Sequence, residues 1–109
     1  MKYMMFVTLD GGPSVPGRKP AGAEAWIAEA GDRRITGDRL RPTSEAKTVR
    51  VRDGKTIVTD GPFAESKEVI VGFDILECAS LAEAIEIASK HPVATVGALE
   101  VRAFWPFES

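Results

Sequence analysis

The sequence contains a single cysteine, a single histidine and no long hydrophobic run, and these shortages exclude several classes of protein. With Cys78 alone the chain cannot form an internal disulfide, so it is unlike a disulfide-rich secreted scaffold. Because Cys78 ends an apolar run, we expect a buried structural thiol. One histidine and one cysteine do not make a zinc set, and the acidic residues lack calcium-loop spacing. We therefore expect no metal and no cofactor.

No segment has the composition of a leader or a membrane span. Residues 1–9 are apolar, but this stretch is brief and lacks a cleavage site. No apolar run approaches the roughly 20 residues that cross a bilayer. The formal net charge of -2 gives no reason to expect phosphate binding. We expect a cytoplasmic protein that binds neither membrane nor nucleic acid.

The hydropathy pattern predicts one domain over residues 1–109 with the order β, α, β, β-hairpin, β, α, β. Asp53-Gly54 is a strong hairpin turn signal, because a type I′ turn needs positive φ at both central positions. Ser80 and Glu83 form a capping box at the second helix. Strands are predicted at residues 2–9, 35–40, 48–52, 55–58, 69–76 and 98–104, and helices at 23–30 and 81–90.

Each helix has an apolar stripe that predicts its buried face. The stripes are Ala23, Trp26, Ile27 and Ala30 in the first helix, and Leu81, Ala84, Ile85 and Ala88 in the second. Two helices on one face of an antiparallel sheet make a two-layer α+β domain.

The opposite face of that sheet is expected to be partly apolar. We predict that Val7, Val71 and Phe73 lie on it, near the aromatic tail formed by Phe104, Trp105 and Phe107. A large open apolar face usually meets a partner, and two-fold dimers are the commonest assembly. We predict a homodimer with the tail at or near its interface.

The segment 59–68, which contains Asp60-Gly61-Pro62-Phe63, resembles the signature of the DGPF subgroup of YCII-related proteins. Residues 37–42, 48–54 and 72–77 resemble its usual flanks, and the likeness covers about residues 26–105. The resemblance implies a ferredoxin-like fold that dimerises into an α+β barrel. Some relatives in the wider group are enzymes acting on small aromatic or lactone substrates. Others are encoded beside sigma factors of the extracytoplasmic type.

The signature has two interpretations. In one, Asp60-Gly61-Pro62 is a rigid turn. In the other, Asp60 points into a pocket as a general base. Glu65 and Lys67 likewise have two interpretations. They either form a charged rim around that pocket or are loop charges exposed to solvent.

His91 also has two interpretations. It either bonds the last carbonyls of the second helix, whose dipole favours the charged ring, or acts as an acid/base group. The family resemblance implies a histidine–aspartate pair whose histidine lies in or near the first helix. This sequence has Trp26 and Glu29 in that stretch, and no histidine.

Two functions follow, and whether the protein is an enzyme stays open. The first is a small-molecule enzyme or binding protein. Its cavity would lie between sheet and helices, with Trp26, Phe63, Phe73, Asp60, Arg39 and His91 as its contacts. The second is a regulatory interaction module associated with a sigma factor. The arginines at 33, 34, 39 and 41 are expected to form mainly solvated surface.

Overall fold

The strands and helices of the computed structural model follow the predicted order. The structure describes residues 1–10, 23–62 and 68–107. Short 3-10 helices at Gly31–Arg33, Thr43–Glu45 and Pro92–Thr95 connect the main elements. The main elements are β1 (Lys2–Asp10), α1 (Ala23–Ala30), β2 (Arg34–Arg39), β3 (Lys47–Arg52), β4 (Lys55–Asp60), β5 (Glu68–Glu77), α2 (Leu81–Ser89) and β6 (Ala98–Ala103).

Four of the strands form one antiparallel sheet in the order β2-β5-β1-β6. This order, with α1 after β1 and α2 after β5, is that of a ferredoxin-like fold. The predicted α+β two-layer sandwich is therefore confirmed. Strands β3 and β4 do not join this sheet; they form a separate two-stranded sheet. Asp53 (φ 51°) and Gly54 (φ 74°) both have positive φ at its turn, as the sequence predicted.

The core lies between the helices and one face of the sheet. Alternate residues of β1, namely Tyr3, Met5, Val7 and Leu9, are buried there. The prediction that Val7 and Val71 lie on the outer face is wrong, because each is only 7% exposed within the core. The prediction that Cys78 is buried is confirmed.

A β-bulge in β5 decides which of its side chains face the helices. Val7 pairs with Gly72 and Thr8 pairs with Ile70, so Val71 is an extra residue opposite β1. A bulge shifts the alternation of side chains between the two faces of a strand. Val71 and, three residues later, Asp74 are consequently both buried on the same face.

The helices pack through stripes that differ in part from the predicted ones. Helix α1 buries Trp26 and Ala30, whereas Ile27 is 38% exposed. The Trp26 indole N–H donates to the Ile87 carbonyl oxygen at 2.8 Å, which turns the Ile87 side of α2 toward α1. Leu81 and Ile85 are therefore exposed instead of buried. The buried residues of α2 are Ala84, Ile87 and Ala88.

The capping box at α2 is formed with one change of partner. The Glu83 amide donates to the Ser80 hydroxyl oxygen at 3.2 Å, as predicted. The Glu83 carboxylate accepts from the Ala79 amide at 3.0 Å, and not from the Ser80 amide. Within the described ranges, neither helix is long and apolar enough to span a membrane.

Candidate functional site

A cavity of about 420 Å³ opens between α1 and the β2–β5 side of the sheet. Its size lies within the range of natural small-molecule sites. Trp26, Arg39, Phe73 and His91, which the sequence analysis grouped together, all contribute to its wall. Phe73 pairs directly with Phe6, whose neighbours Met5 and Val7 face the helices. The Phe73 ring therefore points to the outer face, and its main chain meets the cavity.

A buried ion pair forms the floor of the cavity. The Arg34 Nε donates to Asp74 Oδ1 at 2.7 Å, and its Nη2 donates to the Gly37 carbonyl oxygen at 2.9 Å. The Asp74 side chain is 9% exposed and that of Arg34 is 20% exposed. Gly37 lies opposite Asp74 in the β2–β5 ladder, where the absence of a side chain leaves room for the pair.

The environment of Asp74 suits a group that exchanges a proton. Burial raises the pKa of the Asp74 carboxyl group above its ordinary value, and the charge of Asp38 adds to that rise. The hydrogen bond and positive charge of Arg34 oppose the rise in pKa. A carboxyl group whose pKa is raised in a cavity is a frequent feature of acid/base sites.

His91 contributes a neutral imidazole ring to the same cavity. Its Nδ1 accepts from the Val93 amide at 3.0 Å, so the neutral ring has its proton on Nε2. The Trp26 ring contacts it edge-on, with 4.8 Å between ring centroids. Burial lowers the pKa of His91. The expectation that a helix dipole favours the charged ring is therefore wrong: His91 follows α2 and caps the next short helix.

We expect the burial of His91 to make stability depend on pH. Because the folded pKa lies below the unfolded value of about 6.5, the unfolded chain binds the proton more readily. Stability should be unaffected by this group well above that value, fall as the pH drops from about 6.5 toward the folded pKa, and level off below the folded pKa. His91→Asn keeps an oxygen acceptor for the Val93 amide and removes the titration. In urea unfolding from pH 7.5 to 5, the difference in stability between His91→Asn and wild type should shift in favour of the variant. A difference that stays constant with pH would contradict this.

Arg39 supplies the positive charge of the cavity. It ends β2 beside Gly72, and its side chain is exposed to solvent. In the part of the chain that the structure describes, Arg39 has neither an ion-pair partner nor a hydrogen-bond partner for its side chain. The Arg34 charge, in contrast, is balanced by Asp74. Arg39 is thus available for an anionic ligand.

Asp60 lies outside the cavity. Its side chain is 85% exposed at the end of β4, and its Oδ1 lies 2.5 Å from Lys47 Nζ on the neighbouring strand. The predicted inward orientation of this carboxylate is wrong, because the hairpin forms a sheet of its own and turns the group toward solvent. Gly61 does have the positive φ of the predicted turn, +94°. Phe63, Glu65 and Lys67 lie outside the described residues.

Sequence reasoning missed the ion pair. Arg34 was expected at the surface, and Asp74 was treated as part of an apolar strand. A lone carboxylate within a buried run was the available signal, since such a group needs a partner. Among residues 1–10, 23–62 and 68–107, no group of three or more His, Cys, Asp or Glu side chains is placed to hold a metal ion.

Comparisons with known proteins relate the chain to a curated protein, to a solved structure and to a protein family. The chain is 50% identical over 66 residues to the uncharacterized protein R00369 of Rhizobium meliloti (strain 1021). That match covers 59% of this chain and 53%, about half, of the relative's length.

The structure is similar to that of 5-chloro-2-hydroxyhydroquinone dehydrochlorinase (TftG) from Burkholderia phenoliruptrix AC1100 in complex with 2,5-dihydroxybenzoquinone. The TM-score is 0.53 at 15% identity, over 99% of this chain and 97% of that one, so the likeness is one of fold. The family model of the YCII-related domain matches residues 1–108. The chain therefore belongs to the YCII-related domain family.

Proposed function

We propose that the chain binds and transforms a small oxygen-rich ring compound in the cavity, and that Asp74 moves a proton in the reaction. The observation that carries this proposal is the buried carboxyl group of raised pKa on the cavity floor, held by Arg34. The bound 2,5-dihydroxybenzoquinone of the structural neighbour supports the choice of ligand class. In this proposal Asp74 has the acid/base role for which Asp60 was the candidate in the sequence.

The cavity residues have distinct roles in this proposal. The Asp74 carboxylate accepts a proton from an acidic position of the ligand, and Arg34 keeps the carboxylate oriented. The electron pair left behind is delocalised onto a ligand oxygen. The His91 Nε2–H donates to that oxygen, and Arg39 balances its negative charge. Trp26 holds the His91 ring in place and forms an apolar wall.

Calorimetric titration with 2,5-dihydroxybenzoquinone and 2,5-dihydroxybenzoate tests the proposal. We expect Arg39→Ala to weaken binding about tenfold or more, because a charge-assisted hydrogen bond contributes about 1.5–3 kcal/mol. Arg41→Ala is the matched control, since Arg41 is an exposed arginine paired with Glu45 and is not part of the cavity wall. Failure of both compounds to bind, or equal weakening by the two variants, would refute the proposed site.

We also propose that the protein is a homodimer formed through the outer face of the sheet. The register places Phe6 beside Phe73 and Met4 beside Ile75 on that face. Among the described residues, no helix covers these side chains, and each is only partly buried. Trp105 at 89% exposure supports a role for the aromatic tail at this interface.

The alternative of a regulatory module associated with a sigma factor stays a prediction. It requires a protein partner whose binding depends on exposed surfaces and is unaffected by Asp74→Asn. The cavity proposal instead requires that Asp74→Asn impair the interaction with the small-molecule ligand. A pull-down with wild-type and Asp74→Asn protein, run beside the titration above, separates the two.

A further inference from the structure

Two charged side chains lie on the two walls of the cavity, one on the helix and one on the sheet. Glu24 lies in the first turn of α1, and Arg39 is the last residue of β2. Both line the cavity, and both are exposed to solvent, so they mark its mouth. In the described part of the chain neither has an ion-pair or hydrogen-bond partner for its side chain, and the two do not pair with each other. Each charge is therefore available to a ligand.

The strand register accounts for the position of Arg39. Gly37 pairs with Asp74, whose side chain lies on the helical face of the sheet. Side chains two residues apart on a strand share a face, so Arg39 is on the helical face as well. Gly72 lies opposite Arg39 in the same ladder and has no side chain to fill the space between β5 and the helix.

Helix α1 presents one carboxylate to each of its two flanks. Glu24 and Ile27 are three residues apart, which makes them neighbours on the helix surface, and both line the cavity. Glu29 lies on the flank toward α2, where its Oε1 is 3.4 Å from Lys90 Nζ. Glu24 is therefore the acid of α1 that a ligand in the cavity can reach.

The other charges near the cavity are accounted for. Arg34 and Asp74 balance each other on its floor. Asp38 pairs with Phe73, which places both side chains on the outer face of the sheet. One carboxylate and one guanidinium remain at the mouth. An ionised carboxylate only accepts hydrogen bonds and a guanidinium only donates them. A ligand that satisfies both has an anionic oxygen and, separately, a hydrogen-bond donor.

We propose that Glu24 is a specificity-determining residue of the cavity: it accepts a hydrogen bond from a ring hydroxyl of the ligand while Arg39 binds the anionic oxygen. This inference rests on the proposed function and narrows its ligand class to ring compounds that carry an anionic group and a free hydroxyl. A carboxylate discriminates because a ligand whose hydroxyl is methylated or missing displaces water from it without supplying a donor.

Calorimetric titration with three ring acids tests the inference. In 2,5-dihydroxybenzoate the 5-hydroxyl is free to donate; in 2-hydroxy-5-methoxybenzoate it is methylated, and in 2-hydroxybenzoate it is missing. Wild-type protein should bind the first compound about fivefold or more tightly than either of the others, because only its 5-hydroxyl can donate to Glu24. The compound without the hydroxyl controls for the bulk of the added methyl group.

Variants of the two acids of α1 show which side chain causes the preference. Glu24→Ala should reduce the ratio of affinities to about one, and Glu24→Gln, which keeps a neutral acceptor, should give an intermediate ratio. Glu29→Ala is the matched control, since it removes the exposed carboxylate near Lys90 and should leave the ratio unchanged. Arg39→Ala should weaken all three compounds by a similar factor, because each has the carboxylate. Circular dichroism confirms that each variant is folded.

The outcomes separate this inference from the cavity proposal. Equal affinity of the wild-type protein for the three acids would overturn the inference, as would a preference that survives in Glu24→Ala. Binding of 2,5-dihydroxybenzoquinone without binding of any of the three acids would also overturn it, while leaving the cavity proposal in place. If none of the four compounds binds, the proposed function fails and the inference fails with it.

Discussion

Replacing Arg34 with leucine is expected to lower the free energy of unfolding by about 3 kcal/mol at pH 7. The change leaves the Asp74 carboxylate, 9% exposed, without its ion-pair partner. The Gly37 carbonyl oxygen also loses the hydrogen bond from Arg34 Nη2. Removing one member of a buried pair is costly because the remaining charge is neither paired nor solvated. Urea unfolding monitored by tryptophan fluorescence measures the effect.

The loss caused by Arg34→Leu should shrink as the pH falls toward 4. Burial already places the folded pKa of Asp74 above its unfolded value of about 3.9, and removal of Arg34 raises the folded pKa further. The penalty is therefore present above the folded pKa and absent below the unfolded one. The double variant Arg34→Leu/Asp74→Asn should recover most of the stability at pH 7. An equal loss at pH 7 and pH 4 would show that the pair is not the source of the effect.

Replacing Gly37 with alanine is expected to cost about 3 kcal/mol, near the upper end of ordinary overpacking. A Cβ at this position would lie 2.6 Å from the Phe73 carbonyl oxygen and 2.8 Å from Arg34 Nη2, and closer still to Asp74 Oδ1. Either β2 moves away from β5 or the ion pair opens. Both outcomes also disrupt the cavity floor, so binding of 2,5-dihydroxybenzoquinone should be lost.

Gly72→Ala is the matched control for Gly37→Ala on the neighbouring strand. Its added Cβ would lie 3.0 Å from the Asp38 carbonyl oxygen and at ordinary contact distance, 3.6 Å, from the Arg39 Cα, so it needs a shift of only a few tenths of an ångström. The free energy of unfolding of Gly72→Ala should fall by less than half as much. A Gly37→Ala protein as stable as Gly72→Ala would contradict the packing described for Asp74.

The order and type of the elements could be predicted from sequence because their signals are local. The Asp53-Gly54 turn, the Ser80 cap and the alternation in β1 each depend on a few neighbouring residues. The resemblance to YCII-related proteins supplied the ferredoxin-like topology, which local patterns alone do not determine.

The Arg34–Asp74 pair at the centre of the site could not be predicted, because it depends on the register of β5 with its neighbouring strands. One extra residue at Val71 moves Asp74 onto the helical face, and nothing in the hydropathy of β5 marks that bulge. The Arg34–Asp74 pair joins residues 40 positions apart on neighbouring strands. The exposure of Asp60 likewise follows from the separation of the hairpin from the main sheet.

The histidine that the family resemblance implied in or near the first helix is absent from this sequence. Trp26 stands in that helix, and its ring edge contacts His91, which brings an imidazole to the cavity from the other end of the chain. The Nε2–H of that imidazole is the donor that the proposed function uses.

Side-chain ¹⁵N NMR of His91 tests the proposed site most directly, because the chain has one histidine and so one imidazole spectrum. At pH 7 we predict a neutral ring with its proton on Nε2. Addition of 2,5-dihydroxybenzoquinone should shift the Nε2 signal strongly and the Nδ1 signal, held by the Val93 amide, only slightly. A charged imidazolium ring at pH 7, or an Nε2 signal that stays unmoved at saturating ligand, would contradict the proposal that this cavity is the functional site.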